Sequence, residues 1–298
     1  MDQVRVGFIG FGEVGTVLAR RMLEHGAEVS AFDIRLDDDA ARRDLEARNP
    51  GVRFAPLPSV VRDAAYVLAA VPTQAAGAVA AQAAPYLHAG QVYLDLTTTC
   101  PRLKQELARR ITPTGAAFVE GAILDAVGIA GAAALILTGG AQGSDAAAML
   151  CRLGLNARFY SPEIGQASLF KMLRSIFSKG LEALILEMMV AADRAGIAAG
   201  LWDEVTAFMN RRPFETIAAN WVRTHPAACE RRYWELVEVR QTLRDLGLDP
   251  LMTQATESFF ERSRWLGFPE AFSEPPASAE PVIRFLSHRL ARSDDHCK

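Results

Sequence analysis

Val4 to Ile9 is a short, β-branched apolar run that leads at once into Gly10-Phe11-Gly12-Glu13-Val14-Gly15. A helical spacing of Val14, Val17, Leu18, Met22 and Leu23 follows and stops at Gly26. A strand, a glycine turn and a helix in that order commit the first part of the chain to a βαβ unit, and so to a parallel sheet. Each glycine has its own physical reason. Gly10 permits the tight turn, Gly12 lets the backbone approach a pyrophosphate, and Gly15 lets helix and strand pack closely. The helix N-terminus, with Glu13 and Val14 in its first turn, offers unpaired N–H groups and the positive end of a dipole to phosphate oxygens. The pattern predicts a dinucleotide-binding turn built from residues 10 to 15.

The next strand, Glu28 to Phe32, ends in Asp33. A carboxylate there accepts hydrogen bonds from the adenosine ribose and repels a 2′-phosphate, which favours NAD. Arg35, two residues on, is of the kind that binds that phosphate, so NADP stays open. Further units follow: a charged helix near Asp37 to Arg48, a strand near Val52 to Ala55, and a short helix with Ser59 as its expected N-cap. Tyr66 to Val71 reads as a strand buried on both faces and runs into Pro72. Ala75 to Leu87 reads as a helix, Val92 to Leu96 as a strand, and Pro101 as the first residue of a helix. The alternation implies a doubly wound α/β sheet of Rossmann type. The turn at 10 to 15, Val71-Pro72 and Thr97-Thr98-Thr99 should cluster at its carboxyl rim.

Beyond about residue 160 the strand pattern stops. Gly165 to Gly196 contains no proline, and Leu169, Met172, Leu173, Ile176, Phe177, Leu181, Leu184, Ile185, Met188 and Ala192 recur at the spacing of one buried helical face. One helix of roughly 45 Å is expected, a spine for an all-helical second domain. Lys171, Ser175, Ser178 and Glu182 form a polar row along it. Helices are then expected at Leu201 to Asn210, Pro213 to Arg223, Ala227 to Leu246 and Pro250 to Leu266, with His225 as a helix-entry residue before Pro226. Glu274 to Pro281 reads as a linker to a last amphipathic helix, Val282 to Leu290. The expected division is a dinucleotide-binding domain over 1–162 and a helical substrate-binding and oligomerisation domain over 163–298.

Composition excludes several classes. With 298 residues, half of them hydrophobic and 22% charged, the chain has ample core for two soluble domains. A net charge of -3 leaves no basic footprint for nucleic acid and none for a membrane surface. Cys100, Cys151, Cys229 and Cys297 are scattered, which argues against a disulfide framework or a metal site and points to a reducing cytoplasm. The opening MDQVRVGFIG lacks signal-peptide regions, and the uncharged run Ala126 to Thr138, broken by glycines, is too short to span a bilayer.

The turn GFIGFGEVG, the segment DLTTTCP and the helix opening GQASLFK together resemble the β-hydroxyacid dehydrogenase superfamily, which includes 3-hydroxyisobutyrate and 6-phosphogluconate dehydrogenases. Gly7, Ile9, Gly10, Gly12 and Gly15 match the family's GxIGxGxMG, with Val14 in place of methionine. Asp95-Leu96-Thr97-Thr98 resembles its Asp-x-Ser-Thr segment, which implies that Thr97 and Thr98 lie beside nicotinamide and substrate. Lys171 falls where the family places its catalytic lysine. Two departures stand out. Arg174-Ser175 occupies the place of the family's Asn-Asn, and Ala122-Ile123-Leu124-Asp125-Ala126 replaces its Pro-Val-Ser-Gly-Gly substrate loop. The runs KMLRSIFSKGLEAL and ERRYWELVEV are similar to a phosphogluconate dehydrogenase-like subgroup whose substrates are mostly unassigned.

The resemblance implies hydride transfer between a nicotinamide cofactor and a small anionic β-hydroxy acid or semialdehyde. Lys171 would serve as general acid/base, with a lowered pKa from burial and neighbouring positive charge. Oxidative decarboxylation of a sugar acid, imine reduction and cofactor binding without turnover remain alternatives. Ser175 either meets substrate or bonds its own helix backbone. Arg174, Arg231 and Arg232 are candidates for the substrate's anionic group, and Glu120 and Asp125 for positioning a water or hydroxyl. Trp221, Trp234 and Phe259 add to the apolar helical surface. A homodimer or homotetramer is expected.

Overall fold

A computed structural model describes residues 3–291, so Cys297 lies outside the described residues. The chain divides into two compact units, 1–176 and 177–298.

The first unit is built on eight strands in the order β3-β2-β1-β4-β5-β6-β7-β8. They are β1 Arg5–Ile9, β2 Glu28–Phe32, β3 Val52–Phe54, β4 Tyr66–Ala69, β5 Val92–Asp95, β6 Ala117–Ile123, β7 Ile136–Gly139 and β8 Ala157–Ser161. Strands β1 to β6 are mutually parallel, β7 runs antiparallel to β6, and β8 is parallel to β7. Helices α1 Glu13–Glu24, α2 Asp39–Arg48, α3 Leu57–Asp63, α4 Ala76–Ala83, α5 Pro101–Ile111, α6 Val127–Ala130 and α7 Gly143–Arg152 connect them. Adjacent residues of each central strand supply opposite faces of the sheet. Phe8, Leu68, Leu94 and Val119 pack in one core with Leu18, Met22 and Leu150. Ile9, Val67, Tyr93 and Phe118 pack in a second with Ala80, Leu107 and Ile111.

Two local expectations give way. Ser59 lies inside α3, whose N-cap is Pro56, because Pro58 supplies the fixed φ that suits a first helical turn. The antiparallel β7 has no counterpart in the sequence pattern. Residues 124–135, between β6 and β7, hold only the short α6 and one 3-10 turn, too little for the helical crossover a parallel return requires.

One register row crosses the sheet: Phe32, Ile9, Ala69, Asp95, Glu120, Gly139 and Ser161 are successive Cα partners. Strands β1, β2, β4 and β5 end at this row. Strand β6 overshoots it by three residues, and β7 and β8 bring the chain back to it. The long helix α8, Gln166–Arg194, therefore starts on the same rim as the glycine turn.

In the second unit α9 Ala198–Asn210, α10 Phe214–Asp245, α11 Leu251–Arg264, the short α12 Phe268–Ala271 and α13 Glu280–Leu290 follow the later part of α8. The expected break at Pro226 is absent. Pro226 lies inside the continuous α10, and His225 is buried in mid-helix. A proline removes one hydrogen bond at a cost of about 3 kcal/mol, which packing offsets here: His225 lies against Phe259, Phe260 and Phe268, and Cys229 joins Phe268 and Val282 in a small core. The apolar stripe of α8 also departs from expectation. Of its ten residues only Ala192 is fully buried among the described residues, and Ile176 is 71% exposed. No helix among the described residues is long and apolar enough to cross a membrane.

Candidate active site

The glycine turn has the geometry its spacing predicts. Gly10 has φ +85°, and a Cβ there would lie 2.5 Å from the Ala70 carbonyl oxygen, so no other residue fits. A Cβ on Gly12 would meet nothing within 4 Å, which leaves the backbone open to an incoming group. One on Gly15 would sit 3.0 Å from the Gly10 carbonyl, the close packing of α1 on β1. Gly12 caps α1 without a side-chain bond, so the first-turn N–H groups of Glu13 and Val14 face outward for an anion. The Glu13 side chain itself rests against Gly128, and Val14 packs toward the core.

Asp33 follows β2 and is buried. Its Oδ2 accepts from the Phe11 N–H at 2.8 Å, and its Oδ1 accepts from the Arg35 N–H at 3.0 Å and Arg35 Nε at 2.8 Å. Arg35 Nη2 also donates to Asp33 Oδ2 at 3.1 Å and to the Phe11 carbonyl at 2.7 Å. Burial alone would raise the Asp33 carboxyl. The hydrogen bonds from Arg35 and Phe11 outweigh it and hold the group below the usual carboxylate range. These residues line a cavity of about 430 Å³ with Gly10, Gly12, Val71, Pro72 and Val79. The open Gly12, the uncapped helix end and the adjoining carboxylate fit a dinucleotide: phosphates on the turn, ribose at Asp33.

Along the row, Asp95 ends β5 and its Oδ1 accepts from the Thr97 N–H at 3.1 Å. Lys104 of α5 reaches up from beneath. Its Nζ donates to Asp95 Oδ2 at 2.8 Å, the Asp95 carbonyl at 2.9 Å and the Thr97 carbonyl at 2.7 Å, with both side chains 1% exposed. Thr73 Oγ1 donates to the Thr98 carbonyl at 2.8 Å, which ties the Pro72 loop to the same turn. Thr97 is buried, and its hydroxyl has no partner among the described residues. Thr98 is exposed, and its Oγ1 accepts from Lys171 Nζ at 2.7 Å.

The rest of the α8 row is occupied as follows. Arg174 donates to the Leu124 carbonyl and pairs with Asp125 Oδ1 at 3.3 Å, while Asp125 Oδ2 accepts from the Leu135 N–H at 3.2 Å. Ser175 Oγ donates to its own helix, to the Lys171 carbonyl at 2.9 Å. The structure thus gathers residues 10–15, Asp33, Arg35, Val71, Pro72, Thr97, Thr98, Asp125, Lys171 and Arg174 within the first unit. In the second unit, Arg231 is engaged by Glu235 one turn on, and Arg232 donates to Thr224 Oγ1 at 2.9 Å. Among the described residues no cluster of His, Cys, Asp or Glu could hold a metal.

One residue behind this arrangement, Lys104, escaped a functional reading, and a second, Glu120, expected to position a water or hydroxyl, is engaged by the start of α8. Lys104 looks like an ordinary charge on a helix, yet it falls in register with Leu107 and Ile111 on the buried face of α5, and that spacing was its signal. Glu120 is wholly buried, with its carboxylate on the first turn of α8.

Residues 5–154 match the family model for the NAD binding domain of 6-phosphogluconate dehydrogenase, and residues 192–263 match a domain of unknown function, DUF1932. A conserved hypothetical protein from Sinorhizobium meliloti 1021 is 29% identical over 97% of both chains, with a TM-score of 0.59. Mitochondrial 3-hydroxyisobutyrate dehydrogenase of Bos taurus is 28% identical over 149 residues, 48% of this chain and 43% of that protein, so the match spans under half of that relative. A reductive aminase from Aspergillus terreus in complex with NADPH has a TM-score of 0.76 over 96% of this chain and 100% of that one, and at 18% identity it shares the fold. Since the dinucleotide-binding model covers half the sequence and contains the whole turn, Asp33 and the Asp95–Thr98 segment, the chain belongs to the β-hydroxyacid dehydrogenase superfamily.

Proposed function

We propose that the chain is a nicotinamide-dependent dehydrogenase or reductase of a small anionic β-hydroxy acid, with Lys171 as the group that moves the proton. The observation that carries the reading is the 2.7 Å contact between Lys171 Nζ and Thr98 Oγ1, on the rim that also holds the glycine turn. A bound nicotinamide supplies the hydride chemistry. Lys171 takes the hydroxyl proton as the substrate is oxidised, and in the reverse direction its ammonium donates a proton to the carbonyl oxygen. Thr98 Oγ1 receives one N–H of the ammonium and so orients it. Arg174, three residues along the same helix, is the guanidinium available to a substrate carboxylate through exchange with Asp125. NAD is the favoured cofactor: Asp33 remains ionised against a 2′-phosphate, and Arg35 is engaged by Asp33 and the Phe11 carbonyl. The exposed apolar faces of α8 to α11 are read as the surface of a homodimer, with a second copy seated on them.

The test is a panel of 3-hydroxy acids, their semialdehydes and cyclic imines assayed with NAD(H) and NADP(H). Turnover of a hydroxy acid, falling roughly 10²- to 10⁴-fold in Lys171→Ala while NADH affinity is kept, is the expected result. Imine reduction that survives Lys171→Ala would overturn it.

A further inference from the structure

We propose that Glu120 is a positioning residue for Lys171, setting its place over Thr98 by anchoring the start of α8; the inference rests on the reading of Lys171 as the proton carrier. Glu120 is 0% exposed in the middle of β6. Its Oε1 accepts from the N–H groups of Gly165 at 2.7 Å and Ala167 at 3.1 Å. Its Oε2 accepts from the Ser168 N–H at 3.3 Å and from the Ser168 hydroxyl. These are the donors a helix start leaves without intrahelical partners, and they lie at the positive end of the helix dipole. A carboxylate from a different element meets them, so the helix is fixed to the sheet at one point.

The surroundings are shaped to this contact. A Cβ on Gly139, the register partner of Glu120 on β7, would lie 2.6 Å from Glu120 Oε1, so β7 leaves that space to the carboxylate. Gly165 enters the helix at φ +105°, and a Cβ there would lie 3.1 Å from Pro101 Cβ. Lys171 follows Ser168 by three residues, so its backbone is carried on the turn after the anchored one.

The partner of Lys171 is held in a matching way. Asp95 is the register neighbour of Glu120 on β5, and the Asp95–Lys104 pair holds the Thr97–Thr98 turn. Two buried carboxylates on adjacent strands therefore grip the two sides of the Lys171–Thr98 contact. The β5–β6 register transmits their spacing to it. A displacement of about 1 Å at a reacting group is enough to cost on the order of 10²-fold in rate.

The experiment uses Glu120→Gln and the milder Ser168→Ala in the full chain, each alone and combined with Lys171→Ala. Glu120→Gln is expected to lower kcat about 10- to 100-fold with NADH affinity unchanged, and to add almost nothing in the Lys171→Ala background, while the loss of unfolding free energy is the same in both. Ser168→Ala should give a smaller loss with the same non-additivity, and it carries the test if Glu120→Gln fails to fold. Crystal structures of both single variants read the Lys171–Thr98 separation without reference to turnover. It should lengthen past about 3.5 Å, out of hydrogen-bond range. Equal kcat losses with and without Lys171, or an unmoved contact in both variants, would overturn the proposal. A wild-type protein that turns over nothing in the panel would instead reject the dehydrogenase reading and leave the crystallographic arm to decide on Glu120.

Discussion

Replacing Lys104 by methionine keeps the length of the side chain and deletes its charge. The ammonium makes three hydrogen bonds in a place closed to water, to the Asp95 carboxylate and to the carbonyls of Asp95 and Thr97. Removing it leaves the Asp95 carboxylate buried with, among the described residues, only the Thr97 N–H still donating to it. Breaking one side of such a pair costs about 3 to 5 kcal/mol, against a total of about 5 to 15 kcal/mol for an ordinary domain. With a urea m-value near 2 kcal/mol/M, the midpoint of the first unit should fall by about 1.5 to 2.5 M. Urea titration followed by circular dichroism and by the fluorescence of bound NADH measures it. The combined change Lys104→Met with Asp95→Leu should recover much of the loss, because no charge is then left unpaired. A drop below about 0.5 M for Lys104→Met would equal the worth of an exposed ion pair and refute the assignment of this lysine to the interior. A double variant no better than the single would show that lost shape, not stranded charge, sets the cost.

Other outcomes follow from the second unit. Sedimentation velocity at micromolar concentration should show a dimer or tetramer, given that Trp265 is 78% exposed and Phe177, Leu184, Leu186 and Val190 all open to solvent on α8; a monomer would remove that reading. His225 is buried against three phenylalanines, and burial, helped by the Arg232 charge, lowers its pKa. The unfolded chain therefore takes up the proton first. The stability due to this group is complete above about pH 6.5 and declines below it, by up to ~1.4 kcal/mol per pH unit, until the folded-state pKa is reached. His225→Leu should flatten the urea midpoint between pH 7.5 and 5.5, and an unchanged slope would contradict the assignment.

The glycine turn was legible because its constraint is local: Gly10 must turn with positive φ wherever the rest of the chain goes. The length of α8 was legible for a similar reason, since a proline-free 3.6-residue rhythm needs no partner to be recognised. That this face stays largely exposed was not, because periodicity announces a face and is silent on whether anything packs against it. Pro226 illustrates the opposite case, a local breaker overruled by aromatic packing from residues 34 and 42 positions away, Phe260 and Phe268. Strands β6, β7 and β8 have no counterpart in the expected elements, and the direction of β7 is not written in its residues, since alternation and apolarity are the same in both directions along a strand. The bonds between Arg35 and Asp33 were not legible, because spacing along the chain does not say which way a long side chain folds.

The excursion made by β6 beyond the common row has an evolutionary corollary. Residues 121–138 leave from Glu120 and come home to Gly139, which are register partners, so both feet of this arch stand on the same spot of the sheet. An arch with coincident feet can be lengthened or shortened in matched pairs of residues without shifting the helix that starts further along. Asp125 sits within it, so on the proposed function the groups that face a substrate can change there while Lys171 stays where it is.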